Sequence, residues 1–117
     1  MHQKNGRGRM GNRWQSPKGN LHFSTLIKPK NSIEFWPQLS FISALAVKSS
    51  LSHYLSAKYD IIKFKWPNDI FIDNKKISGI LIETTSDQKA VVIGIGINLI
   101  TNPDINNKYW KSINFLD

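Results

Sequence analysis

The residues with the most chemical potential lie in two short polar segments. The first, Gly6–Gly11, alternates glycine with arginine, and the second, Lys65–Asp69, is a Lys-Trp-Pro-Asn-Asp corner. Glycines let a backbone approach a ligand closely, and arginines add forked donors for carboxylate or phosphate. Asn68 and Asp69 carry oxygen atoms of the kind that Mg²⁺ accepts beside phosphates. These segments predict an anion site, with a flexible basic tail and a self-bonded Asn-Asp turn as the alternatives.

Two further segments lie in the second half of the chain. Lys75–Gly79 places two lysines at the start of an apolar strand, although solvated hairpin lysines are the simpler interpretation. Gly94–Asn98 contains Gly-x-Gly but lacks the third glycine and the helix start of a dinucleotide-binding loop. Glycines within a strand more often mark a close approach by another backbone or a ligand. Asn98 would then contact a base edge or cap a turn.

The residues that are absent exclude several mechanisms. The chain has no cysteine, which excludes a disulfide framework and a thiolate nucleophile. The three histidines, His2, His22 and His53, do not have metal-ligand spacing. No nucleophile elbow and no Gly-Lys-Ser/Thr phosphate loop occur, and the carboxylates are too scattered for a glycosidase pair. The candidate functional groups that remain are cationic, and they suit a reaction in which charge develops on phosphate without a covalent enzyme intermediate.

The distribution of charge supports an anionic ligand. The chain has 16 Lys and Arg against 8 Asp and Glu, a net charge of +8. Residues 1–33 contain seven of the basic residues and no acidic one. A field of this sign attracts the phosphates of a nucleotide, a nucleic acid or a membrane surface. A basic nucleic-acid-binding module that uses exposed aromatics such as Trp14 is therefore one alternative function.

Length and hydropathy place the chain in a broad class. Its 117 residues, 40% of them hydrophobic, are enough for one globular domain with a modest core. No apolar run approaches the ~18–20 residues of a membrane span, and the first residues lack the apolar stretch of a signal peptide. A cytoplasmic protein is the expectation.

The order of predicted elements indicates the fold that positions these segments. Residues 1–20 predict a loop, 21–27 a strand, and 36–58 one helix with apolar residues near a 3.6 period. Strands are predicted over 61–66, 70–72, 76–83 and 90–97, with turns at 73–75, 86–88 and 102–104 and a polar segment over 105–117. This order predicts an α+β fold, a mostly antiparallel sheet with a long helix on one face.

Four motifs in this order resemble the catalytic domain of biotin protein ligases. They are a Gly-Arg-Gly-Arg loop with the following Trp and Ser-Pro, a Lys-Trp-Pro-Asn-Asp corner, a Lys-Ile-Ser-Gly-Ile-Leu strand and a Gly-Ile-Gly-Ile-Asn strand. They stand at Gly6–Gly11 with Trp14–Pro17, Lys65–Asp69, Lys76–Leu81 and Gly94–Asn98. The match spans residues 3–98. It implies the fold of the biotin/lipoate ligases, which is similar to that of class II aminoacyl-tRNA synthetases.

The resemblance implies a two-step ligase reaction. The carboxylate of biotin attacks the α-phosphate of ATP, giving biotinyl-AMP and pyrophosphate, with Mg²⁺ accompanying the nucleotide. A lysine amine on the biotin carrier domain of a carboxylase then attacks that mixed anhydride. Biotin, ATP and the biotin carboxyl carrier protein are thus the implied partners, with a homodimer or a complementing chain as possible assemblies.

The resemblance also implies roles for individual residues. Lys76 and Arg9 match the residues that neutralise the reacting carboxylate and phosphate, and are the expected catalytic residues. The biotin-contacting positions are matched by Gln3, Arg7, Gly8, Arg9 and Lys76. The positions near ATP are matched by Gly6, Arg9, Asn68, Asp69 and Asn98, and Asp69 is the expected metal ligand.

Departures from the family pattern leave alternatives open. Met10 and Asn12 stand where the family's loop usually carries basic residues. The family's domain begins with an earlier Ser/Thr-Asn segment and ends in a small β-domain, so residues 1–117 are expected to be a partial catalytic domain. The alternatives are an inactive remnant, one half of a split ligase, a lipoate ligase-like adenylating enzyme, and the nucleic-acid module. No DNA-binding helix-turn-helix is recognised in the sequence.

Overall fold

The computed structural model describes residues 2–55, 59–101 and Ile113, and its centre is a five-stranded sheet. The strands are β1 (Leu21–Ile27), β2 (Ile62–Lys65), β3 (Asp69–Ile72), β4 (Lys75–Thr84) and β5 (Val91–Ile97). Their order across the sheet is β1-β5-β4-β3-β2, and every neighbouring pair is antiparallel. The predicted α+β class is confirmed.

Short turns set the order of β3, β4 and β5. Asp73 and Asn74, between β3 and β4, both have positive φ (51° and 59°). Two such central residues make a turn whose twist matches that of the flanking strands, and Asp and Asn tolerate it well. Between β4 and β5, the amide of Gln88 donates to the Thr85 carbonyl at 2.8 Å. Both turns lie where the sequence predicts them.

One helix, α1 (Leu39–Tyr54), packs against β2, β3 and β4. The prediction of a single helix from residue 36 was wrong at its start, because Ile33–Gln38 form a 3₁₀ helix that includes Pro37. The buried Trp36 side chain explains this difference, since its indole N–H donates to the Asn31 carbonyl at 3.1 Å and holds this turn in place. The predicted extension to residue 58 lies partly outside the described residues.

The hydrophobic core lies between α1 and one face of the sheet. The fully buried hydrophobic residues of the strands are largely isoleucine: Ile62, Ile70, Ile72, Ile77 and Ile80. The helix contributes Ala44, Val47 and Leu51. The opposite face of the sheet carries glycines and polar residues, and the N-terminal loop lies on it.

Two remaining predictions concern the rest of the chain. In residues 2–55 and 59–101, no helix is long and apolar enough to cross a membrane. The predicted turn at 102–104 and the polar segment 105–117 lie outside the described residues, apart from Ile113, whose amide donates to the Asn98 carbonyl at 2.9 Å.

Truncating a core isoleucine tests this division of faces. Ile72→Ala should lower the free energy of unfolding by about 2–5 kcal/mol, because it leaves a cavity beneath α1. Ile42→Ala is the matched control, since Ile42 is 59% exposed on the helix whereas Ile72 is 0% exposed. Urea denaturation measures both, and equal losses in the two variants would contradict the assigned core.

Candidate functional site

The indole of Trp14 lies flat against the sheet on two glycines. Gly79 of β4 and Gly96 of β5 are direct cross-strand partners. A Cβ at Gly79 would lie 2.6 Å from the Trp14 ring, and one at Gly96 would lie 2.4 Å from it. Such distances are far inside van der Waals contact, so this approach requires glycine at both positions. The N-terminal loop is therefore docked on the sheet, which favours the ordered loop over the flexible tail.

Residues between Gly6 and Trp14 form a closed loop that projects from this contact. The Trp14 amide donates to the Gly6 carbonyl at 2.9 Å, and the Gly8 amide donates to the Asn12 carbonyl at 2.7 Å. Met10 (φ 56°) and Gly11 (φ 76°) make the tight bend at its tip, where Met10 is almost fully exposed. Gly6 itself is buried, and a Cβ there would lie 2.3 Å from the Trp14 carbonyl oxygen.

Between this loop and the sheet lies an open cavity of about 690 Å³. Seven of the residues proposed from the sequence line it: Gln3, Arg7, Gly8, Arg9, Asn68, Asp69 and Lys76. They come from the loop, from the corner before β3 and from the start of β4. Gly6 and Asn98 are not among the lining residues. The fold thus brings together three of the four motifs through side chains and the fourth through the glycines of β5.

The lysine of the β4 motif is part of a partly buried ion pair. The ammonium of Lys76 lies 2.8 Å from the Asp69 carboxylate, and the two side chains are only 19% and 22% exposed. The same ammonium lies 5.5 Å from the centre of the Trp14 ring, within the range of a cation–π contact. Lys76 is therefore not a solvated hairpin lysine. Its charge is held at the cavity wall, between a carboxylate and an aromatic face.

The Asn-Asp corner is bonded to β4, not to its own backbone. The Asn68 amide nitrogen donates to the Ile80 carbonyl at 2.5 Å, and the Ile80 amide donates back to the Asn68 carbonyl at 3.0 Å. This arrangement leaves the Asn68 side-chain oxygen facing the loop, where it accepts from the Arg9 guanidinium at 3.4 Å. The self-bonded turn is thus wrong for Asn68, and the corner meets the arginine loop directly.

Arg7, the other arginine of the motif, pairs with a residue that was not predicted from the sequence. Arg7 lies 2.9 Å from the Glu83 carboxylate of β4, with both side chains well exposed. Glu83 shares a strand face with Gly79 and Leu81, since the three are two residues apart. That alternation could have identified Glu83 as a residue of the site, but only once Gly79 was known to face the loop.

Asn98 is buried at the end of β5, away from the cavity lining. Its side chain is 0% exposed, and its oxygen accepts from the Asn20 amide group at 3.4 Å. Asn20, also missed by sequence reasoning, anchors the next turn: its oxygen accepts the amides of Leu99, Ile100 and Thr101 at 3.0–3.1 Å. The structure therefore places Asn98 in a buried polar cluster that shapes the end of the sheet, and its contact with ATP stays a prediction.

After Glu83 and Asn20, His22 of β1 is the third residue of this region that was not predicted from the sequence to have a role. It is buried, lines the cavity and accepts a hydrogen bond at Nδ1 from the Trp14 indole N–H at 3.4 Å. Burial lowers the pKa of His22 below its ordinary value of 6.5, outweighing the Pro17 carbonyl, which favours the charged ring. The ring is consequently neutral at neutral pH.

The site as a whole can bind anions. Its described lining includes the basic side chains Arg7, Arg9, Arg13 and Lys76 against two carboxylates, Asp69 and Glu83. In the part of the chain that the structure describes, no three His, Cys, Asp or Glu residues come together as a metal site. The arrangement therefore suits a carboxylate or phosphate ligand better than a metal bound by protein groups alone.

Known proteins similar to this chain were found by sequence. A family model described as "Biotin/lipoate A/B protein ligase family" matches residues 1–99. The bifunctional ligase/repressor BirA of Bacillus subtilis is 39% identical over 106 residues, covering 87% of this chain and 32% of that protein. The biotin–[acetyl-CoA-carboxylase] ligase of Paracoccus denitrificans is 36% identical over 102 residues, covering 85% and 42%. The chain thus spans less than half the length of these relatives.

Similar solved structures agree with the sequence matches. Biotin protein ligase from Leishmania major in complex with biotin superposes with a TM-score of 0.85 at 32% identity, covering 98% of this chain and 51% of that chain. Biotin protein ligase from Aquifex aeolicus in complex with biotin and ATP has a TM-score of 0.82 at 31% identity, covering 98% and 48%.

Adding one methyl group under the indole tests the glycine contact. Gly96→Ala should cost about 1–3 kcal/mol of unfolding free energy, because the Trp14 ring must move or the strands must separate. Gly94→Ala is the matched control, since its Cβ would meet nothing closer than 3.7 Å, and its effect should stay below about 1 kcal/mol. Urea denaturation compares them, and equal tolerance of the two substitutions would contradict the docked indole.

The stability of the fold should depend on pH through His22. The unfolded residue titrates near 6.5 whereas the folded one titrates lower, so between these values the unfolded state binds more protons. The stabilisation by the neutral ring is complete above 6.5 and is lost as the pH falls below it towards the lowered pKa. Thermal melts should therefore give a progressively lower Tm as the pH is lowered from 6.5. His22→Phe should reduce that slope, whereas His53→Gln, at an exposed histidine of α1, should keep it.

Proposed function

Because this chain belongs to the biotin/lipoate A/B protein ligase family, we propose that it supplies the central part of a biotin protein ligase catalytic domain. In this proposal it binds biotin and ATP, forms biotinyl-AMP and transfers biotin to a lysine of a biotin carboxyl carrier domain. Relatives with this activity in their names, and solved ligases holding biotin or biotinyl-5-AMP, support the proposal. Over the part of those proteins that it covers, the chain carries their fold.

The observation that carries the proposal is the convergence of Arg9 and Lys76 on one cavity. Adenylation brings together two anions, a carboxylate and a triphosphate. The carboxylate oxygen forms a bond to the α-phosphorus, and the bond from that phosphorus to the pyrophosphate oxygen breaks. A cation about 4 Å from the reacting phosphate contributes on the order of 4 kcal/mol at an effective dielectric constant of 20. Holding both reactants in line lowers the barrier further.

The second step requires no protein nucleophile. The acyl-adenylate is already activated, so the carrier lysine attacks its acyl carbon, AMP leaves, and the attacking amine loses a proton. The reaction therefore requires no cysteine, and the sequence contains none. The protein's task is to retain the adenylate and to admit the lysine.

The loop residues are assigned to biotin and the phosphate. The Ser16 hydroxyl donates to the Gln3 side-chain oxygen at 2.7 Å, which leaves the Gln3 amide group as a donor for the polar head of biotin. Arg7, Gly8 and Arg9 would close over the carboxylate and the phosphate with guanidinium and backbone donors. Lys76 would contact the same carboxylate and phosphate from the sheet side.

The corner residues are assigned to the nucleotide. Asn68 and Asp69 offer oxygen atoms at the cavity wall, and Mg²⁺ usually takes one or two carboxylates together with substrate phosphates. Asp69 would fit such a role as a protein carboxylate for a Mg–ATP substrate, beside the Lys76 ammonium, which lies 2.8 Å from it. Gly6 and Asn98 would act from beneath this site, by shaping the loop and the end of β5.

A lipoate ligase-like activity is the second candidate. It is favoured by the breadth of the matching family, whose description names both biotin and lipoate. Both substrates present a carboxylate on an aliphatic chain to the same adenylation chemistry, so the cations of the cavity serve either one. The ring at the other end of the ligand distinguishes biotin from lipoate.

Calorimetric titration of the folded chain with biotin, with and without Mg–ATP, tests the proposal. We expect biotin to bind, and to bind more tightly with Mg–ATP, whereas lipoate should not compete. Lys76→Ala and Arg9→Ala should reduce adenylate formation by about 100- to 1,000-fold, because each removes a cation from the reacting phosphate. Lys89→Ala, at an exposed turn, is the control.

Circular dichroism separates loss of function from loss of fold in these variants. A folded parent chain that binds neither ligand would contradict the proposal for this chain. Full activity in Lys76→Ala would contradict the role of that lysine, and displacement of biotin by lipoate would favour the second candidate.

A further inference from the structure

His22 has a place in the site that none of the roles above explains. It faces Gly96 across the β1–β5 pair, so it lies on the same face of the sheet as the docked indole. Its side chain is only 7% exposed and borders the cavity. It is too deeply buried to serve as an ordinary surface residue, and its burial leaves it close to one side chain in particular, Trp14.

The hydrogen bond between these two residues fixes the state of the imidazole. The Trp14 indole nitrogen can only donate, and it donates to Nδ1 of His22 at 3.4 Å. Nδ1 must therefore carry no proton, which places the ring proton on Nε2. That nitrogen is buried, and the Pro17 carbonyl lies near the ring.

The choice of histidine at this position is consistent with the requirement of the indole. The hydrogen bond that the His22 ring makes to a described side chain is the bond to Trp14. An apolar side chain of similar size would remove this acceptor from the indole N–H, and the loss of an acceptor from a buried donor destabilises a fold.

The hydrogen bond and the glycine contact act on different parts of the indole. The ring lies against Gly79 and Gly96, and the hydrogen bond from Nε1 directs one edge of the ring towards His22 of β1. The Lys76 ammonium lies 5.5 Å from the centre of the same ring. The orientation of this edge therefore bears on the aromatic surface that the lysine faces.

We infer that His22 is a positioning residue: it accepts the indole N–H of Trp14 and thereby sets the aromatic wall against which a ligand binds. The part of this inference that concerns the ligand rests on the proposed function. The part that concerns the indole does not, because the orientation of Trp14 can be measured without any ligand.

The first experiment measures the indole directly. In a nitrogen–proton correlation spectrum of the full chain, the Trp14 indole signal is identified by its loss in Trp14→Phe. His22→Leu, or His22→Phe if the leucine variant does not fold, removes the acceptor. We expect the indole signal to shift and its proton to exchange with solvent about three- to tenfold faster, as loss of one hydrogen bond predicts. His22→Asn places an oxygen near the position of Nδ1 and should restore both properties.

The second experiment measures biotin affinity by calorimetry in the same variants, with Thr25→Ala as a control on the opposite face of β1. We expect the Kd for biotin to rise about three- to tenfold in His22→Leu, to recover in His22→Asn, and to stay unchanged in Thr25→Ala. An unchanged indole signal in His22→Leu would overturn the inference, and so would a displaced indole with unchanged affinity. If the parent chain binds no biotin, the proposed function fails, while the indole signal still decides whether His22 positions Trp14.

Discussion

The contact between Trp14 and the facing pair Gly79 and Gly96 is the constraint on which the candidate site depends. It joins the N-terminal loop to the two central strands, and any side chain on either glycine would occupy the space of the indole. Because the Trp14 amide also closes the loop onto Gly6, the same residue fixes both ends of the arginine loop. Without this contact the loop would be a flexible basic segment, and its guanidinium groups would not face the cavity.

The cations of the site are held in two different ways, and the difference bears on function. Lys76 and Asp69 are mostly buried, so their attraction is weakly screened and the lysine stays in place. Arg7 and Glu83 are largely exposed, and such pairs contribute only about 0–1 kcal/mol. The ion pair on the strand side of the site is thus held more firmly than the ion pair on the loop side.

Local sequence features predicted the elements well where short-range forces decide them. The turn at Asp73 and Asn74 follows from residue types that tolerate positive φ, and the apolar strands β4 and β5 follow from their β-branched composition. The predicted start of the helix at residue 36 was wrong, because burial of Trp36, a tertiary effect, stabilises a 3₁₀ turn in place of the first α-helical turn. The ion pair of Lys76 was not predictable either, since Asp69 reaches it only through the pairing of β3 with β4.

By itself, the sequence determined the α+β class, the four motifs, the excess of positive charge and, through the motifs, the family. These properties depend on residue type and on short spacings, which the chain carries whether folded or not. Only the tertiary structure decided that Gly79 lies opposite Gly96, that His22 lies beside the indole, and that Asn98 is buried away from the cavity. Strand register settles these points, and it is set by burying one whole face of the sheet under α1, a condition that no short segment contains.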